Sequence, residues 1–124
     1  MVLSMSNLYT RLKDGNNYIF PELYSVDINN LLYSRETSSW DPVIMEYTAT
    51  QDCICNFKSF NGDSSHSVPQ GQIYIDNTLM FVRDGGVGSH NLYGYLTLKK
   101  GQKFKMTDCV ISNYLKVYGL KVHS

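Results

Sequence analysis

Long hydrophobic runs are missing from this sequence of 124 residues. The longest, such as Leu79-Met80-Phe81-Val82, fall far short of the roughly 20 apolar residues of a membrane-spanning helix. The N-terminus begins Met-Val-Leu-Ser-Met-Ser and carries neither the basic nor the apolar segment of a secretory signal. We therefore predict no membrane insertion and no signal peptide.

An excess of either charge is also missing, because 11 basic residues balance 11 acidic ones. A neutral chain lacks the electrostatic footprint that nucleic-acid-binding proteins show, and we predict no nucleic-acid partner. The longest basic cluster comprises four lysines between Lys99 and Lys105 and is interrupted by Gly101 and Gln102. This pattern is typical of a solvated hairpin.

Cysteine is scarce, and the count is odd: Cys53, Cys55 and Cys109. An odd number argues against a complete disulfide framework and for a reducing compartment. Residues two apart on a strand lie about 7 Å from each other, which is too far for a mutual disulfide, and the spacing is not that of a zinc knuckle. We predict small buried thiols and no metal site; a bridge from Cys109 to one of the pair stays open as an alternative.

A catalytic constellation is also missing. A nucleophile–histidine–acid triad needs a positioned histidine, whereas His66 and His90 fall in loop-like segments and His123 is close to the terminus. The glycine-rich stretch from Asp84 to Gly88 is not followed by a helix that would offer its N-terminus to a phosphate. We predict that the chain is not an enzyme and has no catalytic residue and no cofactor.

What the sequence does contain is short alternating strands with turn signals between them. No segment has a sustained helical period, and strand-like segments recur roughly every eight to twelve residues, which favours an all-β antiparallel β-sandwich. Trp40-Asp41-Pro42 opens the predicted core domain, residues 41–124. Residues 1–40 have few long apolar runs, and we predict an N-terminal attachment arm. An ordinary edge hairpin that leads into the first core strand is the alternative.

The stretch from Tyr93 to Gly119 is the most informative part of the chain. It begins Tyr-Gly-Tyr-Leu-Thr-Leu-Lys-Lys-Gly-Gln-Lys-Phe and resembles a signature of jelly rolls of the tumour-necrosis-factor and complement-head type, although Gln102 stands where Asp is usual. Tyr118-Gly119-Leu120 resembles the end of their last strand. The segment Ile73-Tyr74-Ile75-Asp76-Asn77 looks like a hairpin of small phage fibre and virion proteins, with Asn77 where that pattern prefers glycine.

The resemblance covers about residues 43–122 and implies a jelly-roll-like sandwich that forms a homotrimer. Aromatic side chains would line its threefold axis, and the predicted interface residues are Tyr93, Tyr95 and Tyr118. The alternative is a monomer in which these tyrosines stay on the surface. The implied function is that of a phage virion structural protein, made in the host cytoplasm and located in a head, collar, tail fibre or decoration layer. Residues 1–40 would contact other virion proteins.

A second hypothesis is a stand-alone carbohydrate-binding module. Sugar sites combine aromatic faces with polar side chains, and the loops 61–70 and 84–93 carry both. The predicted glycan-contact residues are Asn61, Asp63, His66, Asp84, His90 and Asn91. A fibre protein that contacts host surface glycans would combine the two hypotheses. They differ in oligomeric state and in whether the isolated chain binds sugar.

Overall fold

The computed structural model describes residues 24–38, 40–61 and 66–122 of the chain. These residues form strands, turns and loops, and no helix occurs among them. The strands are β1 (Tyr24–Thr37), β2 (Val43–Thr48), β3 (Cys53–Asn61), β4 (Ser67–Val68), β5 (Gly71–Ile75), β6 (Thr78–Arg83), β7 (Gly86–Val87), β8 (His90–Leu98), β9 (Lys103–Cys109) and β10 (Ser112–Val122). The predicted all-β antiparallel sandwich is confirmed.

Two four-stranded sheets face each other. Sheet 1 has the order β1-β10-β3-β8, sheet 2 has the order β2-β9-β5-β6, and β4 and β7 form a small ladder of their own. The pairing is nested along the chain: β1 pairs with β10, β2 with β9, β3 with β8 and β5 with β6, all antiparallel. A long antiparallel hairpin folded into two sheets would give this nesting.

The core fills the space between the two sheets. Alternate residues of β3 point inward, as the period-two pattern predicts: Cys53, Cys55, Phe57 and Ser59. Phe57 lies at the centre, with its ring centroid 5.7 Å from that of Phe104 and 6.0 Å from that of Phe81. Gly94 pairs with Phe57 across β8, and a Cβ on this glycine would lie 2.8 Å from Phe57 Cζ. The missing side chain therefore makes room for the ring.

Part of the predicted N-terminal arm is a strand of the sandwich. β1 pairs with β10 from Tyr24 opposite Val122 to Thr37 opposite Asn113, with irregular register near residues 27–33. The Arg35 guanidinium also donates to the Ile44 carbonyl oxygen at 3.2 Å, which links β1 to β2 in the other sheet. Residues 24–37 therefore form an edge strand of sheet 1. The prediction for residues 1–23 lies outside the described residues.

The hairpin predicted at Asp76-Asn77 is present between β5 and β6. Asp76 and Asn77 have φ values of 48° and 67°, and two successive left-handed residues are the mark of a type I′ turn. Aspartate and asparagine tolerate this backbone better than other non-glycine residues do. The turn therefore forms without the glycine that the resemblance prefers at position 77.

The hairpin predicted around Lys100-Gly101 is wrong, although the turn itself exists. The Gln102 amide donates to the Lys99 carbonyl oxygen at 3.0 Å, but β8 pairs with β3 in sheet 1 and β9 pairs with β2 and β5 in sheet 2. The Gly101 amide donates to the Ala49 carbonyl oxygen at 2.8 Å. This bond ties the turn to the β2–β3 connection, so the chain crosses between sheets here.

Candidate functional site

One side of the sandwich exposes an uncharged apolar surface, which we call the β6–β8 side. It comprises Leu79–Val82 on β6 together with Tyr93 and Tyr95 on β8. The four residues of β6 are each 39–49% exposed, and Tyr93 and Tyr95 are 58% and 64% exposed. β6 and β8 are edge strands of the two sheets and contact each other. Soluble proteins usually protect an edge strand with lysine, proline or a bulge. Residues 79–82 have neither charge nor proline, and the register with β5 is irregular at Met80.

A second apolar surface, the β1–β10 patch, lies on the outer face of sheet 1. It comprises Leu31, Ile54 and Tyr118. Leu31 pairs with Tyr118, which pairs with Ile54 on β3, so these three side chains form a row across the sheet. Leu31 is 52% exposed. The chain therefore carries two different apolar surfaces.

The three predicted interface tyrosines share a face of the sandwich but do not form one cluster. Tyr93 and Tyr95 pair with Lys58 and Asn56 of β3, and the period of two places them on the outer face of sheet 1 with Tyr118. Tyr118 is half-buried and lies on β10, with β3 between it and β8. Two of the tyrosines thus belong to the β6–β8 side and one to the β1–β10 patch.

The loops predicted to contact glycans lie at one end of the sandwich, which we call the loop end. The β4–β7 ladder joins them, because Ser67 pairs with Val87 and Val68 pairs with Gly86. Asn61 pairs with His90, and Phe60 pairs with Asn91. The structure therefore brings Asn61, His90 and Asn91 together. Asp84 is exposed between β6 and β7, and the prediction for Asp63 lies outside the described residues.

An exposed aromatic pair lies at the loop end. The ring of His66 lies 4.8 Å from that of Trp40, centroid to centroid, at an interplanar angle of 54°. Trp40 is 53% exposed. From the sequence we predicted His66 as a glycan-contact residue. Trp40 was recognised only as part of the segment that opens the core domain.

A polar pocket of about 260 Å³ opens at the loop end, where β1 ends and β10 begins. Its wall holds one carboxylate and one ammonium group, from Glu36 and Lys58. Strand register explains the charged part, because Glu36 pairs with Tyr114 and Tyr114 pairs with Lys58. The remaining lining residues are all polar: Thr37, Ser38, Ser112, Asn113 and Tyr114. None of them was predicted, because their meeting depends on the register of three strands that are distant in sequence.

Lys58 is held in place by several contacts. Its Nζ donates to the Ser112 hydroxyl oxygen at 3.3 Å and lies 5.3 Å from the ring centroid of Phe60 and 5.9 Å from that of Tyr114. Both distances are within the range of cation–π attraction. The ammonium group is therefore positioned in the pocket wall before any ligand arrives.

Buried polar side chains lie inside the sandwich next to the loop end. Arg83 is 1% exposed, and its guanidinium donates to the Ser59 hydroxyl oxygen at 2.8 Å and to the Pro69 carbonyl oxygen at 2.6 Å. Burial lowers the pKa of this guanidinium. These hydrogen bonds connect the end of β6 to β3 and to the segment that follows β4. Its Nε has no hydrogen-bond partner among the described residues, nor do His90 Nε2 and Asn113 Oδ1.

The cysteines fit the prediction of small buried thiols. All three are free and buried, so the alternative of a bridge from Cys109 is not observed. Burial raises the pKa of the Cys109 thiol to about 12, and the nearby Arg83 guanidinium opposes the rise. A hydrogen bond with Cys53, together with burial, raises the pKa of the Cys55 thiol. Residues 24–38, 40–61 and 66–122 contain no cluster of histidine, cysteine and carboxylate groups suited to a metal ion.

Comparison with known proteins identifies no relative of this chain. No protein family, curated protein or solved structure matches this chain. Within the part of the chain that the structure describes, no helix is long and apolar enough to cross a membrane. The two apolar surfaces and the loop end are therefore the features that bear on function.

Proposed function

We propose that this chain is a structural subunit that assembles into a homotrimer. The observation that carries the proposal is the β6–β8 side, an uncharged surface of consecutive apolar residues on an edge strand. Surfaces of this kind on soluble proteins mark sites of protein association, and tyrosine is enriched at interfaces because its ring is apolar and its hydroxyl tolerates water. We propose that a second copy of the chain binds to the β6–β8 side.

The two apolar surfaces favour a ring over a twofold dimer. A twofold interface uses the same surface on both partners, whereas a closed ring of three joins two different surfaces head to tail. In the proposed trimer, Tyr93 and Tyr95 of one copy pack against Leu31 and Tyr118 of the next. This arrangement places all three predicted interface tyrosines in contacts between copies and covers the exposed Leu31.

The proposed setting is a phage virion, in a head, collar, tail fibre or decoration layer. Support for this setting comes from the sequence motifs that resemble small phage fibre proteins. A neutral chain also suits an assembled particle, because charge repulsion between subunits is low. Residues 1–23, which precede β1, are the remaining candidates for the proposed contact with other virion proteins.

The solution mass of the full chain tests the trimer. We expect light scattering to give three times the 14.2 kDa of one chain, and this mass to persist on tenfold dilution. A mass of one chain at every concentration would contradict the proposal of self-association. A mass of two chains would contradict the head-to-tail ring and point to a twofold contact between β6 edges.

A carbohydrate-binding module is the second candidate. The observation that favours it is the loop end, where the exposed Trp40–His66 pair and the polar pocket lie together. Exposed aromatic rings beside hydrogen-bonding groups are what a sugar ring requires, because one face of the sugar is apolar and its edge carries hydroxyls. A monomer that binds sugar would favour this candidate over the trimer, and a trimer that binds sugar would satisfy both.

A further inference from the structure

We infer that the polar pocket between β1, β3 and β10 binds a single neutral saccharide unit. This inference deepens the second candidate function and does not depend on self-association. The pocket is separate from the residues predicted from the loops, since none of Asn61, His66, Asp84 or Asn91 lines it. It also lies apart from the β1–β10 patch, because Tyr114 and Tyr118 are four residues apart on β10, about 13 Å at the rise of a strand.

The size of the pocket limits the ligand. Its volume of about 260 Å³ falls just below the range of roughly 300 to 1,000 Å³ that is usual for drug-sized ligands. A single sugar ring is small enough, whereas a peptide segment or a folded partner is not. The pocket is also too polar to attract an apolar ligand, since every residue in its wall carries a hydrogen-bonding side chain.

The charges and hydrogen-bonding groups specify a neutral ligand with several hydroxyls. Among the lining residues one carboxylate, from Glu36, balances one ammonium, from Lys58. Glu36 also pairs with Lys116, whose Nζ lies 3.6 Å from Glu36 Oε1. Hydroxyl groups both donate and accept hydrogen bonds, and the pocket offers both kinds of partner. Lys58 donates, the Glu36 carboxylate accepts, and the hydroxyls of Thr37, Ser112 and Tyr114 do either.

One lining residue has a buried acceptor that lacks a partner within the described residues. Asn113 is 3% exposed, and its amide nitrogen donates to the Thr37 hydroxyl oxygen at 3.4 Å, but its Oδ1 has no hydrogen-bond partner among them. A buried amide oxygen without a partner is costly. Asn113 pairs with the inward-facing Ser59 of β3, so this oxygen lies between the sheets, behind the pocket surface.

The backbone next to the pocket is strained. Ile111 has a φ of 75°, and the Ser112 amide donates to the Val110 carbonyl oxygen at 3.1 Å, which together define a tight γ-turn. A β-branched residue rarely adopts a positive φ, and such strain collects at ligand sites. Here the turn fixes the position of Ser112, which in turn holds the Lys58 ammonium.

Protein-observed NMR tests the inference. Glucose, galactose and N-acetylglucosamine are titrated separately into the full chain at millimolar concentration, with inorganic phosphate as the anionic probe. We expect at least one sugar to shift the amide signals of residues 36–38, 58 and 112–114, with a dissociation constant of about 1 mM for a ligand of this size. Lys58→Met is expected to weaken binding at least about tenfold, because a charge-assisted hydrogen bond is lost.

Lys105→Met is the matched control, because Lys105 also lies over a tyrosine ring, 4.8 Å from the centroid of Tyr74, but on sheet 2. This variant should retain binding. Equal loss in both variants, shifts with phosphate but with no sugar, shifts confined to Trp40 and His66, or no shifts at all would each overturn the inference. Light scattering on the same samples reports the oligomeric state, so failure of the pocket and failure of the trimer are separate results.

Discussion

Replacing Tyr95 with lysine is expected to break the assembly into single chains at concentrations where the unmodified chain is a trimer. Tyr95 is 64% exposed and protrudes from the edge strand β8, so the substitution leaves the core unchanged. At an interface, loss of a central tyrosine typically costs about 2 kcal/mol or more, which weakens each contact roughly 30-fold. Burying an unpaired ammonium group adds a further penalty. Light scattering and sedimentation measure the change in mass.

Ile44→Lys is the matched control for this substitution. Ile44 is 55% exposed and lies on β2, the edge strand of sheet 2 opposite β6. The same change in charge is therefore made on the other side of the sandwich. We expect Ile44→Lys to remain a trimer. Dissociation of both variants to the same extent would show that the added charge, and not the β6–β8 side, controls assembly.

Replacing Phe57 with alanine is expected to lower the free energy of unfolding by about 3 to 5 kcal/mol, the usual range for a buried phenylalanine. Phe57 is 1% exposed and packs between Phe81 and Phe104. The cavity left by its ring would lie between the two sheets, where it also removes the support for Phe81 on the β6–β8 side. Chemical denaturation at a fixed protein concentration measures the loss, because assembly makes stability depend on concentration.

Phe60→Ala provides the comparison on the same strand. Phe60 lies three residues further along β3 on the outer face of sheet 1, is half-buried, and interacts with the Lys58 ammonium. Its removal costs a cation–π contact of about 0.5 to 1 kcal/mol and some apolar burial. We expect a loss well below that of Phe57→Ala. Similar losses for the two variants would contradict the assignment of the core to the inward face of β3.

Local patterns in the sequence predict much of the fold, because the side-chain period of a strand is two wherever one face is buried. The alternation in β3 and β8 and the turn residues Asp76-Asn77 are examples, and the structure agrees with them. Local patterns do not predict which strand each strand pairs with. The Lys100-Gly101 turn has the local chemistry of a hairpin, and only the pairing of β8 with β3 and of β9 with β2 and β5 shows that the chain crosses between sheets here.

The same limit applies to the candidate site. The outward position of Tyr93, Tyr95 and Tyr118 follows from alternation, but their separation by β3 depends on strand order. The polar pocket needs Glu36, Lys58 and Tyr114 in one row, and these residues come from three strands spread over most of the domain. Its one local signal is the outward-facing Lys58 between the inward-facing Phe57 and Ser59, which does not identify its neighbours.

Amide hydrogen exchange at two protein concentrations tests the central claim, that the β6–β8 side is a contact surface between copies of this chain. One concentration keeps the chain monomeric and the other keeps it assembled, as light scattering verifies. We predict that exchange in β6 and β8 slows at least about tenfold on assembly, because their edge amides become covered, while exchange in β2 stays the same. Unchanged exchange in β6 and β8 in a sample of trimeric mass would contradict the account and place the contact elsewhere on the chain.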